Sequence, residues 1–293
     1  MKISSLLGIK EISGTGTKPS KLLSPGLYTG LELEVEGISR RIRELMENPA
    51  GWAVKGDGSL RNGGLEYVLD RPSIGKNLET KIESLETFLQ NLTVNQKRPP
   101  FYNWRTSLHV HLNFSDKTFA ELFSFVMVYL IFERLLMRYC GEERTENIFC
   151  VPIYKSTQYQ GLLEDFFDKG NFWYTEDHKY CALNLHCLRS FGSVELRMHQ
   201  GTHDSGDIVR WLNILYSMVN KSKEILESNQ IRDLPVLVST EGLFDFGVDT
   251  FGVYWPYLIR GLTREEVNND MIEGLRLAQE YIYMYNLPIR EGV

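Results

Sequence analysis

The chain of 293 residues carries 38 acidic against 32 basic side chains, a net charge of -6, and is 43% hydrophobic and 24% charged. That balance fits a soluble globular protein of one large domain or two small ones. Lys and Arg form no basic run, which argues against a nucleic acid as the main partner, because neutralising phosphates needs clustered cations.

No charged-then-apolar leader opens the chain. Residues 1–26, rich in Ser, Gly, Thr, Lys and Pro, read as a flexible N-terminal arm ahead of a single domain spanning 27–293. A strand is expected over 28–37, where Gly30-Leu31-Glu32-Leu33-Glu34-Val35-Glu36 alternates apolar with acidic residues; that is the period of a strand. Leu31, Leu33 and Val35 face one way and three carboxylates the other. Next-but-one residues stand about 7 Å apart, so each like-charge pair costs roughly 2 kcal/mol at an effective dielectric near 20. A wet acidic face would screen that repulsion, and bound cations would reverse it.

Residues 40–50 lead into a glycine-rich hairpin region at 51–70. Leu78, Ile82, Leu85, Leu89 and Leu92 recur at helical spacing and predict a surface helix over 76–92. A strand follows at 106–114, then a helix over 117–139. Its Leu122–Phe132 run is apolar apart from Ser124, but it is bounded by charges and falls short of the ~20 residues a bilayer needs, so burial in the core is expected. Residues 140–179 read as an irregular lid or substrate loop. Beyond them a hairpin is expected, with strands Cys181–Arg189 and Ser193–His199 around Ser190-Phe191-Gly192. Ile208, Trp211, Leu212, Leu215 and Val219 mark an amphipathic helix, and Thr263-Arg264-Glu265-Glu266 caps a last one running to about Asn286. Non-local strands, hairpins and flanking helices predict an α+β fold on a mostly antiparallel sheet. Neither Gly14-Thr15-Gly16 nor Gly56-Asp57-Gly58 continues into a Rossmann or P-loop fingerprint. The cysteines Cys140, Cys150, Cys181 and Cys187 include no CxxC pair; a reducing cytoplasmic setting fits best, with Cys181 and Cys187 read as small packing residues on a strand.

Four segments carry candidate chemistry. The first is the acidic strand. The second, Gly56-Asp57-Gly58-Ser59 followed by Gly64-Leu65-Glu66, can bend Asp57 toward a ligand or be a plain Asp-Gly turn. In the third, Ser107-Leu108-His109-Val110-His111, two imidazoles project from one strand face as transition-metal ligands or as a hydrogen-bonded pair. The fourth, Val194-Glu195-Leu196-Arg197, sets a carboxylate beside a guanidinium suited to phosphate, or forms a solvated ion pair. Trp52, Trp104 and Trp173 read as packing residues rather than site walls, and Lys55, Arg61, Arg105, Arg189 and Arg210 as solvated surface charges or as cations able to receive a carboxylate.

Taken in order, G-x-E-x-E, D-G-S, G-x-E, S-L-H-x-H and E-x-R followed by Gln200-Gly201-Thr202 resemble the carboxylate–amine ligase superfamily of glutamine synthetase and glutamate–cysteine ligase. They most resemble its amidoligase branch, frequent in bacteria and phages, over about residues 27–220. The resemblance implies a curved antiparallel sheet forming a glutamine-synthetase-like funnel with helices outside, binding ATP with two or three Mg2+ or Mn2+ ions. It implies one metal site at Glu34, Asp57 and Glu66 and another at Glu32, His109 and Glu195. Arg197 would take the transferred phosphate, with His111 on phosphate or substrate and Glu36 an outer or substrate residue. The activity implied is ATP-dependent amide or isopeptide formation through an acyl phosphate, with ADP and phosphate released. Small-molecule or peptide carboxylates and amines would be the partners, with no membrane involved, in the cytoplasm or in a host's cytoplasm for a phage-encoded chain. A zinc-dependent hydrolase and a non-catalytic binding or assembly protein of the same fold are the alternatives.

Overall fold

A computed structural model describes residues 1–13, 18–39, 47–95, 99–169, 179–238 and 242–285. Gly14-Thr15-Gly16, residues 40–46, the 170–178 part of the expected lid with Trp173, and the segment from Asn286 onward lie outside the described residues. The strands are β1 (Thr29–Val35), β2 (Trp52–Lys55), β3 (Leu65–Leu69), β4 (Ser107–Asn113), β5 (Leu183–Asn184) and β6 (Ser193–Gln200). The helices are α1 (Ile3–Leu7), α2 (Gly75–Asn95), α3 (Phe119–Tyr139), α4 (Glu142–Thr145), α5 (Thr157–Lys169), α6 (Cys187–Phe191), α7 (Ser205–Glu227), α8 (Leu234–Leu237), α9 (Leu243–Phe251), α10 (Trp255–Leu258) and α11 (Arg264–Met284).

The six strands form one open sheet in the order β2-β3-β1-β4-β6-β5, and every neighbouring pair is antiparallel. This is the α+β architecture expected from the alternating strands. β1, the acidic strand, sits inside the sheet between β3 and β4. Its Leu31, Leu33 and Val35 are buried with Leu108, Val110 and Leu112 of β4 and Val194 and Leu196 of β6. Helices cover that face: Tyr67 of β3 packs edge-on against Phe88 of α2, Phe114 lies 5.2 Å from Phe125 of α3, and the Thr29 hydroxyl of β1 meets the Tyr216 hydroxyl of α7 at 2.7 Å.

The five apolar residues that predicted the 76–92 helix are all fully buried on α2. In α3 every residue from Leu122 to Phe132 is buried, as its length and composition required. Among the described residues no helix is long and apolar enough to cross a membrane. α11 crosses α3 so closely that a methyl group on Gly274 would overlap the Leu130 carbonyl. The Thr263–Glu266 capping box at its start forms in both directions. Within the N-terminal segment, α1 buries Ile3, whose N–H donates to the Lys117 carbonyl at 2.7 Å.

Two stretches differ from the sequence reading. Residues 140–169 are largely helical, because Tyr159, Leu163, Phe166 and Phe167 form a buried stripe on α5 that interleaved Gln, Gly and Asp conceal. The expected strand over Cys181–Arg189 is only Leu183–Asn184, and the chain then turns into α6, ended by Gly192 at φ 66°. The Asn184 side chain starts this turn by accepting the His186 N–H at 2.9 Å, which ends strand pairing. Cys187 therefore sits on a helical turn and not on a strand. The four cysteines are all unpaired and buried.

Glu133 lies fully buried in α3, where it accepts from the Tyr129 hydroxyl and from the backbone N–H groups of Ile153 and Tyr154 at 2.8, 2.9 and 3.0 Å. Burial outweighs these donors and pushes its carboxyl up to about 7. The folded-state value lies above the unfolded one, so the stability it contributes is complete below about pH 4.5 and is lost as the pH rises through 7. Relative to a Glu133→Gln variant, the protein should lose on the order of 3 kcal/mol between pH 4.5 and 8. Urea unfolding of both proteins at the two pH values checks this; a constant difference between them would show that Glu133 titrates normally.

Candidate functional site

The face of the sheet opposite the apolar one gathers the polar residues of the alternating strands into one largely buried cross-strand row. Directly paired residues share a face, and the register sets Glu34 opposite Glu66, Glu32 opposite His109, Gly30 opposite His111, and His111 opposite Glu195. Asn184 of β5 continues the row beside Glu195. Gly30 has a clear part here. A Cβ at that position would lie 3.3 Å from His111 Cβ, so glycine keeps the imidazole's space open.

The structure brings together all six acidic and imidazole residues proposed as metal ligands. Glu34, Asp57 and Glu66 offer ligand atoms within 4.8 Å of one another, as do Glu32, Glu66 and His109, and Glu32, His111 and Glu195. The first trio has the same members as the expected first site. Around Glu32 the grouping differs: His111, expected on phosphate or substrate, shares a trio with Glu195, while His109 falls with Glu66. His109 still stands 3.3 Å from both Glu32 and Glu195.

Each ligand candidate is fixed by its neighbours. Glu34 accepts from the Ser107 N–H at 2.8 Å and from the Ser107 hydroxyl at 2.5 Å. That hydroxyl has spent its proton on Glu34, so it accepts from His109 Nε2 at 2.6 Å. His109 Nδ1 faces Glu32 Oε2 and Glu195 Oε1, each at 3.3 Å, within reach to donate to Glu32 when it carries a proton and to offer a lone pair to a cation when it does not. Two carboxylate oxygens and an imidazole nitrogen thus converge on one point, a set of atoms that a proton or a metal cation would hold together. His111 Nε2 is buried 3.3 Å from Glu32 Oε1 without the alignment of a hydrogen bond. Glu195 accepts from Arg197 at 2.5 Å, from Asn184 Nδ2 at 2.7 Å and from the Cys187 thiol at 3.3 Å.

The charges follow from this packing. Burial works against ionisation of Glu195, yet Arg197, His111 and His109 hold its carboxyl down at about 2. Glu32 is also held well below the usual carboxylate range, because His109 and His111 overcome its burial. Glu66 goes the other way: burial and the neighbouring Glu32 push it up to about 7. Like charges have been assembled faster than this chain's own cations neutralise them, and Glu66 bears the difference. Carboxylate oxygens with imidazole nitrogens are a donor set that could hold a divalent metal ion.

Sequence reading missed several supporting residues. Ser107 was legible only as part of S-L-H-x-H, and nothing in the sequence signalled that Asn184 and Cys187 both reach Glu195. Glu36 has a plain structural task. It is 1% exposed and accepts from Arg61 N–H at 2.8 Å, Asn62 Nδ2 at 2.9 Å and Asn103 Nδ2 at 3.1 Å. It therefore anchors the loop that carries Asp57. A backbone irregularity between Leu108 and Val110 shifts the β4–β6 register, so that His199 pairs with core-facing Leu108 and is buried near Trp211 instead of following Glu195 and Arg197. Trp52 packs in the core as expected, whereas Trp104 is 43% exposed beneath the Arg105 guanidinium at 4.2 Å.

A family described as "Putative amidoligase enzyme" matches residues 77–219. The match takes in just under half of the chain and supports a ligase at a coarse level; it includes His109, His111, Glu195 and Arg197 and excludes Glu32, Glu34, Asp57 and Glu66. No curated protein matches the chain.

Glu36→Ala should strip three donors of their shared acceptor, costing about 2–3 kcal/mol of stability. The loosened Asp57 loop should also lower Mn2+ affinity by roughly tenfold, the scale of an outer-shell loss. Urea unfolding and calorimetric Mn2+ titration measure the two effects. Unchanged Mn2+ binding in a destabilised variant would detach Glu36 from the ligand row.

Proposed function

We propose that this protein is an ATP-dependent carboxylate–amine ligase, which forms an amide or isopeptide bond through an acyl phosphate and releases ADP and phosphate. The observation that carries the reading is the convergence of Glu32, His109 and Glu195 ligand atoms beside Arg197, on a face that also holds Glu34, Asp57 and Glu66. The amidoligase family match over the second half of that row supports it. In this reading the polar sheet face is the wall of the nucleotide funnel.

Glu34, Asp57 and Glu66 would hold one divalent ion, and Glu32, His109, His111 and Glu195 the others, with Glu32 and Glu66 shared between trios. Bound Mg2+ or Mn2+ would supply the charge neutralisation that lets an anionic carboxylate approach the γ-phosphate of ATP. The chain's own residues do the rest. Arg197 presents its guanidinium to the transferred phosphate, and Glu195 fixes its direction through the 2.5 Å contact. Asn184 and Cys187 hold the other oxygen of Glu195, so that carboxylate cannot swing away when charge moves onto the phosphate. Ser107 orients Glu34 and His109 at once. These fixed dipoles and charges lower the barrier because they need no rearrangement as the reaction proceeds. Attack of the amine on the acyl carbon then expels phosphate and leaves the amide.

Glu195→Gln and Arg197→Met should each lower ATP turnover at least a hundredfold while the unfolding midpoint stays within a few degrees. ADP release from Mg-ATP or Mn-ATP with pooled amino acids and amines is the assay. Full turnover in Glu195→Gln would sink the assignment, and nucleotide-free hydrolysis dependent on zinc would move it to the hydrolase reading.

A further inference from the structure

On the helical side of the sheet a separate cleft of about 710 Å3 opens between α3, the start of α7, α10 and the segments around Thr145 and Tyr154. It shares no residue with the candidate active site. Its volume lies within the roughly 300–1,000 Å3 of small-molecule sites. Its lining includes Arg134, Arg138, Lys155, Arg210 and Arg260, and no carboxylate. In a chain of net charge -6 this is a local reversal of sign.

The cations are only partly neutralised. Asp270, buried beneath α3, is one carboxylate facing two guanidinium groups, Arg134 and Arg138. Asp207 pairs with Arg210, whose guanidinium also lies 4.8 Å over the Tyr257 ring. Lys155 donates to the Thr145 carbonyl at 3.0 Å, which leaves its charge uncompensated. Five cations stand against Asp270, Asp207 and Glu266, the last acting on Arg138, so positive charge remains in excess. A pocket that holds like charges together without a counter-ion is unfavourable on its own. An anion carrying several charges relieves that, and the planar guanidinium fork matches phosphate oxygens in pairs.

We infer that this cleft is a second ligand site, for a small molecule carrying two or more phosphates. It lies behind the sheet, so its occupant is not a reactant at the carboxylate row, and the inference stands independently of the proposed ligase activity.

The test is calorimetric titration of the full chain with inorganic pyrophosphate in EDTA, which keeps divalent ions from bridging phosphate to the carboxylates. One equivalent should bind in the micromolar range. Lys155 and Arg260 are exposed and make no ion pair with Asp270 or Asp207, so a Lys155→Ala, Arg260→Ala variant should fold normally and bind at least tenfold more weakly. Arg197→Met should bind as the parent does. Loss of binding in Arg197→Met with none in the double variant would place the anion at the sheet face and overturn the inference. Absence of pyrophosphate binding, or binding of citrate alone, would do the same. ADP serves as a further probe: tighter binding than pyrophosphate assigns the site to a nucleotide, and equal binding assigns it to the phosphates alone; both support the site.

Discussion

Five carboxylates held on one sheet face repel one another, and much of the surrounding structure serves to keep them there. Glu32, Glu34 and Glu195 each have polar partners beside them: the two histidines for Glu32, Ser107 for Glu34, and Arg197 of its own strand with Asn184 of β5 for Glu195. Glu66 is left with the residual repulsion. Backbone pairing supplies the force that opposes it. β1 is hydrogen-bonded on both sides, so Glu32 and Glu34 cannot separate from His109 and Glu66 without breaking ladders to β3 and β4. The buried aliphatic face of the same strands adds apolar burial to that constraint. One alternating sequence therefore does two jobs: its leucines anchor the sheet on the helices, and that anchoring holds acidic groups in positions they would leave in water.

The arrangement also explains why small and neutral residues recur in the row. Gly30 stands opposite His111, where any side chain would crowd the imidazole. Ser107 joins Glu34 to His109 with one hydroxyl, an acceptor on one side and a donor on the other. Glu36, the next acidic residue along the chain, is recruited for a different purpose: it ties together the turns at Arg61–Asn62 and Asn103 and so fixes the loop that carries Asp57.

What could be read from sequence follows the range of the physics involved. Period-two and period-3.6 patterns are local, so β1, β4, β6 and the helices α2, α3 and α11 are legible within a few residues of their ends, and α7 by its apolar stripe though not to its end at Glu227. The candidate ligands were legible as residue types in order, because alternation fixes a face before it fixes a partner. Long-range pairing was not legible. Nothing in the sequence decides that Glu32 meets both histidines, or that His111 rather than His109 shares a trio with Glu195. The β4–β6 irregularity hides in an unbroken alternation, which is why His199 looks like a continuation of Glu195 and Arg197 yet lies in the core. Cys181–Arg189 read as a strand because period-two counting cannot see Asn184 capping the turn that follows it.

The family match and the geometry cover different halves of the site, and their overlap is informative. The match reaches from 77 to 219 and so speaks for β4 and β6. β1 and β3 lie before it, and their carboxylates rest on register alone. That register is not free to vary: sliding β1 by one residue against β4 would turn Leu31 and Leu33 to the open face and bury the glutamates against the helices. Given that β4 carries its histidines toward the open face, the hydrophobic packing of β1 therefore requires Glu32 and Glu34 to join them. The half of the row outside the family match is fixed by the same packing that builds the core.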